Sequence, residues 1–184
     1  MAKLKDYLIV LNPSKVVEEQ IKLYKRGASE FIGTYPGLHS TAHVSLWHKQ
    51  KLSRELVDTF TTIVQRKINN IRSTNIAIDG FDYFVHGRNS MTIYANIRSS
   101  YITDNWFDLI RKQLNIDSND FVPHITVTRS IPVDSFYTLW PKFKATAFQI
   151  NFVPASISVL EKDPLSQDAA WHLYKTLYFK GLEN

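Results

Sequence analysis

Two four-residue runs carry the side chains that acid–base chemistry needs: His43-Val44-Ser45-Leu46 and His124-Ile125-Thr126-Val127. Each sets a histidine two residues before a hydroxyl, with apolar residues between and after. In an extended strand, successive side chains point to opposite faces. His43 and Ser45 then share one face and Val44 and Leu46 the other, and His124, Ile125, Thr126 and Val127 divide in the same way. The apolar pair can enter a core, which leaves imidazole and hydroxyl on a cleft. Free imidazole titrates at about pH 6.5, so of two facing rings one can accept a proton while the other donates. Hydroxyls beside them can hydrogen-bond nonbridging phosphate oxygens and stabilise charge developing there. The expected catalytic set is therefore His43, Ser45, His124 and Thr126, acting on a phosphodiester. One ring activates the attacking group, the other protonates the leaving oxygen, and the roles exchange when the reaction runs backwards.

Positioning two such strands takes a repeated layout, and the chain shows one. Tyr7–Leu11 reads as a short strand and Asn12-Pro13 as a helix start, with Pro13 at the first helical position. Val17, Ile21, Tyr24 and Ala28 then recur at helical spacing. A Gly/Pro loop over 33–41 leads into the His43 strand. A helix from Ser53 carries Val57, Phe60, Val64 and Ile71, and a strand over Asn75–Asp79 runs into a turn at Gly80. The second half repeats the scheme: a strand Met91–Ile97, then a helix capped by Thr103 or Asp104 with Phe107, Ile110 and Leu114 on its stripe. The His124 strand follows, with a short helix over Asp134–Trp140 and strands over 146–153 and 156–160. A polar stretch, 161–170, precedes a last strand from Trp171 to Lys180.

The chain of 184 residues is 44% hydrophobic, enough for a folded core in a single domain with approximate halves 1–88 and 89–184. A formal charge of +5 favours an anionic partner. With no cysteine there is no thiol nucleophile or thiolate ligand. The first apolar run, Tyr7–Leu11, is too short for a signal sequence or a membrane span, so a cytoplasmic, non-membrane protein is expected. His39, His48, His86 and His172 lie outside the two motifs and read as surface or structural residues, and no HExxH-type spacing suggests a metal site.

Among residues that touch substrate, Arg129 can grip phosphate in a bidentate fashion. Tyr94 stands with Thr92 and Asn96 on the polar face of a strand, and Tyr35 and Trp47 flank the first motif, where aromatic rings can stack a base.

The run Phe121-Val122-Pro123-His124-Ile125-Thr126-Val127-Thr128-Arg129, with its partner motif 81 residues earlier, resembles the 2H phosphoesterase superfamily. Within it, the 2′-5′ RNA ligase and RNA 2′,3′-cyclic phosphodiesterase group is the most similar. Ser45 stands where the family more often has Thr, and His39-Ser40-Thr41-Ala42 is a formal second match that reads as loop. The resemblance implies an α+β fold of two pseudosymmetric lobes. Each lobe would be an antiparallel sheet backed by helices, with the two H-x-[S/T]-x motifs in the central cleft. It implies opening of 2′,3′-cyclic phosphate ends of RNA or of a related cyclic nucleotide, with possible reverse 2′-5′ ligation. No cofactor or metal is expected, and a monomer is. Two other readings stay open: a 3′-end RNA exonuclease of the same superfamily, and a nonenzymatic RNA-binding module.

Overall fold

The computed structural model describes residues 3–116, 120–165 and 170–181. Among these residues the elements run β1 (Lys5–Leu11), α1 (Lys15–Ile32), β2 (Val44–Leu52), α2 (Arg54–Ile68), β3 (Ile76–His86) and β4 (Ser90–Ile97). Then follow α3 (Tyr101–Gln113), β5 (His124–Pro132), α4 (Val133–Ala145), β6 (Gln149–Phe152), β7 (Ser156–Lys162) and β8 (His172–Tyr178). The strands form two antiparallel four-stranded sheets, ordered β2-β1-β7-β8 and β5-β4-β3-β6. The architecture is α+β, with helices packed on the sheets.

Alternation builds each sheet's inner face. Tyr7, Ile9 and Leu11 on β1 are fully buried, and Val17, Ile21 and Ala28 of α1 and Val57, Val64 and Ile68 of α2 are buried with them in one apolar core. Ile93, Ala95 and Ile97 of β4 do the same for the second sheet, where α4 brings Phe136 and Leu139 and α1 packs against β5, while α3, with Phe107 and Ile110, packs against α2. Neither sheet is built from one half of the chain alone. β3 crosses to pair with β4 through the short turn at 87–89, while β7 returns to flank β1 and β8 pairs with β7. Sequence-adjacent strands pair most readily, which draws β3 into the sheet of β4.

Several boundaries differ from expectation, each for a local reason. β3 does not stop at Gly80; a register shift between Ile78 and Phe81, with Gly80 at φ +70, lets the strand run on to His86. Ser100, not Thr103 or Asp104, caps α3, its hydroxyl accepting the Thr103 N–H at 3.1 Å. Ser14 is the residue that caps α1, so Pro13 lies before the cap rather than at the first helical position. Ile71 is buried beyond the end of α2, and Ile68 takes its place on the stripe. α4 continues through Pro141 to Ala145. Of the polar stretch 161–170, residues 161 and 162 belong to β7 and residues 166–169 lie outside the described residues.

Candidate active site

β2 and β5 are the edge strands of their sheets, and they touch each other. His43 immediately precedes β2, and His124 opens β5. The two rings are held alike. His43 Nδ1 donates to the Thr41 carbonyl at 2.8 Å, and His124 Nδ1 to the Val122 carbonyl at 2.7 Å. Each bond reaches back two residues along the histidine's own backbone. With Nδ1 carrying the hydrogen, Nε2 of each ring is the nitrogen left to exchange a proton.

The strands carry matching irregularities straight after the motif hydroxyls. On β2, Ser45 pairs with Val10 and Trp47 with Ile9, so Leu46 is an extra residue. On β5, Thr126 pairs with Tyr94 and Thr128 with Ile93, so Val127 is the extra one. Such bulges re-aim side chains next to functional sites. Here each leaves its histidine and hydroxyl half-buried on the cleft side and turns the following residue inward.

That bulge corrects one expectation. Val10 and Ile9 are neighbours on β1, so Ser45 and Trp47 lie on opposite faces of the sheet. Trp47 stacks on Phe60 of α2, with ring centroids 5.5 Å apart, and packs against the core instead of offering a surface to a base. Tyr35 is corrected too. It is 9% exposed, and its hydroxyl donates to the Lys25 carbonyl at 2.9 Å, with a longer 3.4 Å contact to the Val127 carbonyl. It ties α1 to the second bulge and is not free to stack. His39 lies in a turn, apart from the strand.

Tyr94 is only 4% exposed and forms a wall of the site. Its ring stacks on Phe84 at 4.3 Å and lies 5.0 Å from the His124 ring, and Phe84 meets His124 edge-on at 4.9 Å. Burial, with Asp82 alongside, pushes the Tyr94 phenol up to about 12. Phe84 is half-buried and presents the outer surface of this aromatic stack. Sequence reasoning missed it because a strand ending at Gly80 excludes it.

Lys25 was missed as well. It is 2% exposed, and its ammonium donates to the Gly37 carbonyl at 3.0 Å and to the Ser40 carbonyl and hydroxyl, both at 2.8 Å. All three acceptors are neutral. Burial first, then the charge of Arg129, pushes its pKa down to about 8. The signal was present: Lys25 falls four residues after Ile21 and three before Ala28, on the buried stripe of α1. It clamps the loop whose Thr41 carbonyl holds His43. Arg129 is exposed and sits beside that loop; a Cβ placed on Gly37 would lie 3.8 Å from the Arg129 Cβ.

Both histidines are held below the ordinary imidazole pKa. Burial is the main cause for each, opposed by the backbone hydrogen bond. Lys25, Arg129 and His124 press His43 further down by charge, whereas Arg129 alone does so for His124. Among the described residues, no cluster of three or more His, Asp or Glu side chains is arranged to hold a metal ion, and no helix is long and apolar enough to cross a membrane.

Two four-stranded antiparallel sheets meeting along histidine-bearing edge strands define the class: this is a 2H phosphoesterase fold. The chain belongs to the 2′-5′ RNA ligase superfamily, whose family model matches residues 13–164. Among solved structures it is similar to E. coli LigT in its apo form, at 14% identity and TM-score 0.66 over 97% of this chain and 99% of that one. LigT complexed with 3′-AMP superposes at 11% identity and TM-score 0.67, again over 97% and 99%. TT0787 of Thermus thermophilus does so at 12% identity and TM-score 0.69, over 96% and 98%. A search of curated protein sequences finds no match.

Proposed function

We propose that the chain opens 2′,3′-cyclic phosphate ends of RNA, or of a related cyclic nucleotide, by metal-independent two-histidine catalysis. One observation carries this reading. The Nδ1 atoms of His43 and His124 are tied to backbone carbonyls in the same way, on edge strands that touch, so two equivalent Nε2 atoms are available to the cleft.

His43 has Lys25 as well as Arg129 among the charges that press on it, His124 has Arg129 alone, and we assign the role of base to His43. In hydrolysis its Nε2 takes a proton from water as the water oxygen bonds to phosphorus. The P–O3′ bond breaks, and protonated His124 delivers its proton to the 3′ oxygen, leaving a 2′-phosphate and a 3′-hydroxyl. The anionic substrate itself favours protonation of one ring on binding. A 5′-hydroxyl in place of water gives a 2′-5′ linkage by the same proton transfers. Ser45, Thr126 and Arg129 hold the nonbridging oxygens, and Phe84 offers a ring to the terminal base. LigT has been captured with phosphate and with 3′-AMP, a nucleotide phosphorylated on its ribose.

The test is a short RNA ending in a 2′,3′-cyclic phosphate, incubated in EDTA with wild type, His43→Ala and His124→Ala. Opening to a 2′-phosphate by wild type alone is the expected result. No opening, with all three proteins binding the RNA equally, would replace the enzyme with an RNA-binding module.

A further inference from the structure

The cleft face of the first sheet continues past Ser45. His48 pairs with Leu8, and Leu8 shares the β1 face of Val10, the partner of Ser45. His48 therefore stands on the cleft side, three residues beyond Ser45 and about 10 Å along the strand. Its ring meets Trp171 edge-on, with centroids 5.7 Å apart. Trp171 directly precedes β8, the far strand of the same sheet, so the two rings close across Leu8 and Leu160, which pair beneath them.

Lys162 completes the group. It pairs with Asp6, again on the Leu8 face, and its ammonium lies 5.2 Å from the centre of the half-exposed Trp171 ring. The acidic neighbours of Lys162 are already engaged: Glu161 by Lys5, Asp163 by Lys3 at 2.7 Å, and Asp6 by the Lys51 N–H at 3.1 Å. Among the described residues Lys162 has no carboxylate partner, so its charge is available to a ligand. An accessible indole flanked by an imidazole and a free cation, on the same face of the sheet as Ser45, has the composition of a single-strand nucleic-acid subsite.

We propose that Trp171, His48 and Lys162 bind the nucleotide preceding the one that carries the cyclic phosphate, Trp171 by stacking its base and Lys162 by holding its phosphate. The substrate is then an RNA strand of at least two nucleotides, not a free cyclic mononucleotide. This deepens the two-histidine reading and rests on it.

The experiment compares kcat/KM for a nucleoside 2′,3′-cyclic phosphate and for a trinucleotide ending in the same group. Wild type should prefer the trinucleotide. Trp171→Ala should lose about tenfold on the trinucleotide, mainly in KM, with the mononucleotide unchanged, and Trp171→Phe should retain most of the preference. Lys162→Gln should flatten the log–log salt dependence of trinucleotide binding by about 0.7. Equal losses on both substrates, or no loss on either, would overturn the subsite. If wild type opens neither ring, it is the two-histidine reading that has failed. Binding of a labelled trinucleotide to wild type and to Trp171→Ala then decides the subsite separately: weaker binding by the variant upholds it, equal binding overturns it.

Discussion

The two histidine strands differ most where they look most alike. Each has a second bulge beyond the first, and each second bulge contains a residue at positive φ, Lys51 at 55° and Ser130 at 47°. In each, that residue's N–H is taken by a side chain from the central strand: Lys51 by Asp6 at 3.1 Å, Ser130 by Thr92 at 3.0 Å. On β5 the bulged pair is Arg129-Ser130, beginning three residues after Thr126. On β2 it is Gln50-Lys51, beginning five residues after Ser45. Two additional paired residues thus separate one architecture from the other. The earlier bulge brings Arg129 close enough for its charge to act on both histidines and on Lys25. The later one leaves a regular strand at His48, which reaches away from the chemistry. A common scaffold supplies paired acid–base groups, and a two-residue shift in one bulge decides which side grips phosphate and which side extends.

The sharpest way to break the symmetry is at the rings. His43→Ala and His124→Ala should each lower kcat/KM about 10²- to 10⁴-fold, with the double variant scarcely worse than either, because the rings act as a unit. A single variant that keeps most of its activity would make the match between strands decorative. Next come the hydroxyls. Ser45→Ala and Thr126→Ala should each cost about 100-fold in kcat, and Ser45→Thr should remain active, since the added methyl leaves the donor in place.

Lys25→Met tests the asymmetry. It removes a positive charge that lowers the pKa of His43 but not one that acts on His124. The limb of the pH–rate profile belonging to His43 should move to higher pH while the other stays. Its stability should respond to pH as well. Folded Lys25 loses its proton at about 8 and the unfolded chain near 10.5, so the unfolded state binds more protons between these values. Wild type should therefore gain stability relative to Lys25→Met as pH rises through that window, as followed by denaturant unfolding. The smallest effect is expected at Tyr35. Tyr35→Phe removes the donor shared by the Lys25 and Val127 carbonyls and should cost about 1 kcal/mol of stability, with little change in kcat.

The catalytic candidates were legible because period-two alternation survives up to the motif hydroxyl. Beyond it, a bulge adds one residue and reverses the faces up to the next bulge. That is why Trp47, which flanks the motif in sequence, packs on Phe60 instead of lying beside Ser45. Nothing in a stretch such as Ser45-Leu46-Trp47 marks Leu46 as the extra residue, since pairing with β1 decides it. Lys25 was hidden by its charge, although its position on the α1 stripe was visible. Phe84 was hidden by Gly80, which reads as a turn until pairing with β4 shows that the strand passes through it. The helical stripes and the order of elements depend on local sequence and were read from it. The exchange of β3 and the return of β7 depend on pairing across the whole chain.

That return has a consequence for how the molecule comes into being. Every strand of the second sheet lies between residues 76 and 152, so it can close as soon as that stretch has left the ribosome. The first sheet cannot. β1, the first of the strands to be made, stays without its neighbour β7 until residues 156–162 arrive, and β8 comes later still. During synthesis, one side of β1 is an open edge, buried on its apolar face yet ready to pair with another chain. A nascent chain halted near residue 153 should carry one finished sheet and one adhesive half-sheet, and should aggregate or recruit a chaperone.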